Sequence, residues 1–131
     1  MRYALLIYVE PWDPTPEQNL EVMQSYSAFT TAAVEADAMR GGEALEDAKN
    51  ATTVRVRNGQ TLVTDGPFAE TKEEFGGFYV VEAPNLDEAI KWAAMIPGAA
   101  RGSIEIRPIW ELPDEINAES AAQAATGAGV G

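Results

Sequence analysis

The segment Asp65-Gly66-Pro67-Phe68-Ala69-Glu70-Thr71-Lys72-Glu73-Glu74-Phe75-Gly76-Gly77 gathers carboxylates, a lysine and backbone-breaking residues directly after a run that reads as a strand. Asp65 is the candidate catalytic residue: a carboxylate at the rim of an apolar surface can take or give a proton if a substrate sits beside it. The same residue before Gly-Pro is also a turn former whose carboxylate accepts backbone N–H groups, and both uses need one geometry. Glu70 and Lys72 are candidate ligand-binding charges, with a solvated pair as the alternative. Phe68 reads as a core plug. Arg107 can clamp a carboxylate or neutralise neighbouring acids. Glu43 follows Gly41-Gly42 and can project into the same cavity. Tyr8 and Tyr26 can offer phenol groups to a ligand, although aromatic residues on a strand and a helix stripe equally serve a core. Gly76-Gly77 is no phosphate cradle, because it precedes a strand and lacks the Lys-Ser/Thr that follows a phosphate loop.

The composition narrows the chemistry. The chain has no cysteine and no histidine among its 131 residues. That excludes thiolate nucleophiles, Ser-His and Cys-His arrangements, and the usual zinc or iron ligands. The reading therefore calls for no metal and no cofactor, and any proton transfer falls to Asp, Glu, Lys, Arg or Tyr. A formal charge of −12 argues against direct binding to nucleic acid or to anionic membrane surfaces, both of which need basic patches. The run from Tyr3 to Val9 is about a third of a membrane span in length and ends at Glu10. It reads as a strand, without a cleavage site after it, and the protein as cytoplasmic.

The elements that must position these residues follow from periodicity. Tyr3–Val9 is short, apolar and rich in aromatic and β-branched residues, which suits a central strand covered on both faces. Thr15, Pro16 and Gln18 form a capping box that starts a helix, with Val22, Tyr26, Phe29, Ala33 and Ala36 as its stripe and Gly41-Gly42 as its end. Glu43-Ala44-Leu45 is a short extended or turn segment. Thr52–Arg57 and Gln60–Thr64 flank Asn58-Gly59, the strongest short hairpin signal. Phe78–Glu82 is a strand. Asn85 with Glu88 caps a second helix whose stripe is Leu86, Ala89, Ile90, Ala93 and Ile96. Ser103–Trp110 is a last strand, and Pro108 places it at an edge. This order is that of an α+β ferredoxin-like sandwich with an added β-hairpin, its helices on one face of a mostly antiparallel sheet. Residues 1–113 form the domain, and 114–131 form an Ala/Gly-rich C-terminal tail.

A two-residue turn fixes the hairpin register. Arg57 faces Gln60, Val56 faces Thr61, Arg55 faces Leu62, Val54 faces Val63 and Thr52 faces Asp65. Asp65 thus shares a face with Val54, Val56 and Val63, which is expected to be covered. Two helices cover only one face of the sheet, so a second copy is expected on the other: a homodimer, with an apolar cavity between the sheets or beside the first helix.

The motif Asp65-Gly66-Pro67-Phe68 with Glu70-Thr71-Lys72-Glu73, preceded by Gly42–Leu45 and Ala51–Arg55 and closed by Ile104–Glu111, resembles the YCII-related DGPF-domain family from about Met1 to Leu112. The resemblance implies a ferredoxin-like fold that forms dimeric α/β barrels, with biochemical function largely unassigned. In the broader YCII group a His-Asp pair in a cleft is the suggested catalytic centre. Asp65 matches the aspartate, but the chain has no histidine, so that mechanism does not carry over intact. The association of some DGPF relatives with extracytoplasmic-function sigma factors implies a regulatory partner, and a basic partner surface would suit this acidic chain.

Three readings follow. One is a cytoplasmic homodimer that binds a small organic molecule near Asp65, Glu43 and Tyr8 as a sensor or accessory module. Another is an acid–base enzyme, an isomerase, lyase or hydrolase of a cyclic small molecule, with Asp65 moving the proton and Lys72 or Arg107 steadying negative charge. The third is an interaction module without a cavity.

Overall fold

A computed structural model describes residues 1–113, 115 and 116. The tail expected over 114–131 lies outside the described residues apart from Glu115 and Ile116. The elements are β1 (Arg2–Val9), α1 (Pro16–Glu35), β2 (Met39–Ala44), β3 (Thr52–Arg57), β4 (Gln60–Asp65), β5 (Glu74–Glu82), α2 (Leu86–Met95) and β6 (Gly102–Pro108). A four-stranded antiparallel sheet runs β2-β5-β1-β6, and β3 with β4 forms a separate two-stranded hairpin. This is the ferredoxin-like α+β architecture with an added hairpin.

Strand alternation assigns the two faces of the sheet. Tyr3, Leu5 and Ile7 of β1 are buried with Val81, Ala89, Ala93 and Ile96 in the core under the helices. Phe29 of α1 stacks against Tyr79 with ring centres 4.8 Å apart and meets Trp92 of α2 edge-on at 6.2 Å, tying both helices to the sheet. Ala4, Leu6 and Tyr8 turn to the opposite side, alongside Val80, Phe78 and Phe75 of β5. Nothing in the described chain covers that face, and its apolar residues remain half-exposed. β1 is therefore central in the sheet but sheltered on one side only.

Both helix starts obey their capping signals. Thr15 Oγ1 accepts from Gln18 N–H at 3.2 Å while Gln18 Oε1 accepts from Thr15 N–H at 2.9 Å. Asn85 Oδ1 accepts from Glu88 N–H at 3.0 Å. The end of α1 differs from the expectation. The helix stops at Glu35, and Asp37 takes the left-handed conformation at φ 54°, a region that a short polar side chain tolerates. Gly41 and Gly42 lie instead inside β2. A Cβ on Gly42 would sit 2.7 Å from the Phe78 carbonyl oxygen, so this edge strand approaches β5 more closely than a side chain permits.

The hairpin register is the one counted from its turn, from Arg57 opposite Gln60 to Thr52 opposite Asp65. Asn58 and Gly59 both have positive φ, 52° and 75°, as a type I′ turn requires. Pro108 ends β6 at the sheet edge. Among the described residues no helix is long and apolar enough to cross a membrane.

Candidate functional site

Where the hairpin leaves the sheet, the chain encloses a groove of about 850 Å³. One wall is the turn after β2. Asp47 Oδ1 accepts from Lys49 N–H at 3.0 Å, and Asn50 Nδ2 donates to Glu46 Oε1 at 3.1 Å, which fixes a single 3-10 turn over Ala48–Asn50. The hairpin root is the second wall. Gly66, at φ 98°, donates its N–H to the Ala51 carbonyl at 2.7 Å, and Thr53 Oγ1 donates to the Gly66 carbonyl at 2.8 Å. Those bonds turn the chain so that Pro67 and Phe68 overhang the groove. The sheet supplies the floor: Tyr8 and Phe75 face each other across β1 and β5, with ring centres 5.4 Å apart, just past a bulge between Ile7 and Tyr8. Glu46, Asp47 and Glu74 add carboxylates to the lining, which includes no lysine or arginine.

A residue match decides the family. The model of the YCII-related domain matches residues 1–113. The chain belongs to the YCII-related domain family. An uncharacterized protein of Rhizobium meliloti (strain 1021) is 38% identical over 116 residues, which span 83% of this chain and 92% of that protein. Among solved structures, 5-chloro-2-hydroxyhydroquinone dehydrochlorinase from Burkholderia phenoliruptrix AC1100, in complex with 2,5-dihydroxybenzoquinone, superposes with a TM-score of 0.50 at 13% identity. The match covers 88% of this chain and 98% of that one. At that identity the likeness is one of fold alone.

Within this YCII-related domain the residues expected to form one site are dispersed. Tyr8 lines the groove. Tyr26 and Glu43 line a second cavity, about 740 Å³, between α1 and the β2-β5 edge. Asp65, Glu70, Lys72 and Arg107 line neither. Asp65 closes β4 on the predicted face, but it stands exposed with no hydrogen bond or ion pair among the described residues. Its cross-strand neighbour Thr52 reaches the groove instead. Lys72 pairs with Glu10 at 3.3 Å on the surface. Phe68 is not a core plug: it is 78% exposed over the groove mouth.

The sheet's open face carries a polar cluster that the sequence reading did not single out. Tyr8 Oη donates to Glu105 Oε1 at 3.4 Å, and Ser103 Oγ donates to Glu73 Oε1 at 2.8 Å. Glu73 belongs to the signature segment, so the signature is tied to β6 through this bond. Partial burial, then the charge of Glu105 and its hydrogen bond, push the Tyr8 phenol above its ordinary range, and the Arg107 charge opposes them. In Tyr26 burial likewise raises the phenol. Neutralising Glu105 as Glu105→Gln should bring the Tyr8 titration down, whereas Arg107→Gln should move it further up. Ultraviolet difference titration, with Tyr8→Phe identifying the Tyr8 step, reads both directions; equal curves for the two variants would disprove the coupling.

Proposed function

We propose that this domain is a cytoplasmic, homodimeric binding module for a small organic molecule, a sensor or accessory component, with the ligand held in the groove over Tyr8 and Phe75. The observation that carries the reading is the lining itself. Aromatic rings at the floor and mouth offer flat apolar contact, while Glu46, Asp47 and Glu74 bring negative charge and the nearby Arg55 guanidinium donates to the Phe68 carbonyl at 3.4 Å. Such a groove favours an uncharged or cationic ring and disfavours an anion, because aromatic faces attract cations and carboxylates repel anions.

The acid–base reading places Asp65 with Lys72 or Arg107 at one substrate, and none of the three lines either cavity. Binding is therefore the reading carried forward, and the regulatory protein partner implied by family resemblance would read the ligand state of the dimer. Thermal-shift measurements with benzyltrimethylammonium, phenol and benzoate as cationic, neutral and anionic ring probes test it. The first two should raise the melting temperature in a saturable way. Benzoate should not. No shift with any probe, or an equal shift with benzoate, would remove this assignment.

A further inference from the structure

Tyr8, Phe68 and Phe75 all line the groove beneath the hairpin root, but they are held in different ways. Tyr8 and Phe75 belong to the sheet, and their ring planes are inclined at 49° to each other. Phe68 stands at the mouth, 78% exposed, where the burial that an apolar ring ordinarily gains is forgone. Its backbone is nevertheless positioned. Gly66 turns the chain at φ 98°, Thr53 Oγ1 donates to the Gly66 carbonyl, and Arg55 Nη2 donates to the Phe68 carbonyl at 3.4 Å.

We propose that the ligand of this groove is a free alkylated ammonium ion, a small molecule carrying a trimethylammonium group, and that Phe68 is the third wall of an aromatic cage formed with Tyr8 and Phe75. The inference rests on the binding reading and narrows it: the groove recognises the cation, and the ligand needs no ring of its own. A trimethylammonium group has no N–H to donate, so it is held by ring faces and by nearby negative charge. Both are present. Three carboxylates, those of Glu46, Asp47 and Glu74, line the groove, and no cationic side chain does. Glu46 is fixed by Asn50 Nδ2 and Asp47 by the Lys49 N–H, so two of these charges are set in place before any ligand arrives. Lys49 shares that turn without lining the groove, and Arg55 is engaged by the Phe68 carbonyl at its mouth.

Tyr8 is suited to the same task. Its hydroxyl donates to Glu105 at 3.4 Å, which draws the O–H bond toward a carboxylate and leaves the ring richer in electrons for a cation. The carboxylates also select the source of the ion. In a phospholipid headgroup the trimethylammonium carries a phosphate beside it, and that phosphate would stand among like charges. A free ion brings no such conflict.

Choline and dimethylbutanol, its neutral carbon isostere, share one shape and differ in charge. Isothermal titration of the full-length protein should show choline binding at least about tenfold more tightly than the isostere. Phe68→Leu should weaken choline by about fivefold to tenfold, because leucine keeps the apolar bulk and removes the ring face, and Phe68→Trp should bind it at least as well as wild type. That rescue separates a cage wall from a merely structural residue, and an exposed position tolerates both changes. Equal affinity for choline and its isostere, or wild-type affinity in Phe68→Leu, overturns the proposal. So does binding to phosphatidylcholine vesicles without binding to choline. Phenol binding without choline binding would overturn the cage and leave the ring-binding reading standing, whereas choline binding without phenol binding would support the cage and remove the uncharged ring. No binding of choline, phenol or benzyltrimethylammonium would remove both.

Discussion

Gly102→Ala should destabilise the protein by about 3 kcal/mol or more, at or above the upper end of the range for overpacked sites. The added Cβ would overlap the carbonyl oxygen of Tyr8 and lie 2.9 Å from the Val9 Cα. Both obstacles are backbone, so no rotamer change relieves them. Relief requires β1 and β6 to part at the pair Val9–Gly102, and the residues displaced first are Tyr8 and Ser103, which pair next along the ladder. The substitution should therefore loosen the Tyr8–Glu105 contact along with the fold. Gly41→Ala is the control, since a Cβ there meets nothing within 4 Å, and it should change stability by no more than about 0.5 kcal/mol. Denaturant unfolding of the two variants measures the difference. If Gly102→Ala unfolds at the wild-type midpoint, β1 and β6 do not approach as closely as described.

Local chemistry was legible in the sequence because it depends on near neighbours. Thr15 with Gln18 and Asn85 with Glu88 carry their own hydrogen-bond partners, and Asn58-Gly59 fixes six cross-strand pairs by counting. The alternation that places Asp65 beside Val63 says which side chains share a face. It cannot say whether anything rests on that face, and among the described residues nothing does. Gly41-Gly42 misled for a related reason: a double glycine serves a helix end or a tight strand approach equally well, and only the position of Phe78 and Tyr79 across the sheet distinguishes the two.

The groove was illegible for the opposite reason, since its walls come from segments distant in sequence. Tyr8 meets Phe75 across a strand pair, and Glu73 meets Ser103 across a separation of 30 residues. The bulge between Ile7 and Tyr8 decides which ring of β5 lies against Tyr8, and no local pattern announces it. One signal was available. Even-numbered residues of β1 alternate with the buried odd ones, so Tyr8 was bound to the face that two helices leave uncovered, together with any aromatic residue paired to it.

Those two rings carry the largest effect expected on binding. Tyr8→Ala combined with Phe75→Ala should weaken benzyltrimethylammonium binding by roughly tenfold to a hundredfold, equivalent to about 1.4–2.8 kcal/mol. The reasoning is additive only in part, because the rings touch at 5.4 Å between centres and share one ligand face. Tyr8→Phe isolates the phenol: it keeps the stacking surface and removes the bond to Glu105, so a ligand held by ring contact alone should bind it within about twofold of wild type. Neither ring belongs to the buried core, which lies on the other side of β1, so the fold should tolerate both changes. Isothermal titration of the three proteins gives the comparison. Unchanged affinity in the double variant would move the ligand out of this groove and toward the second cavity, where Tyr26→Ala becomes the deciding substitution.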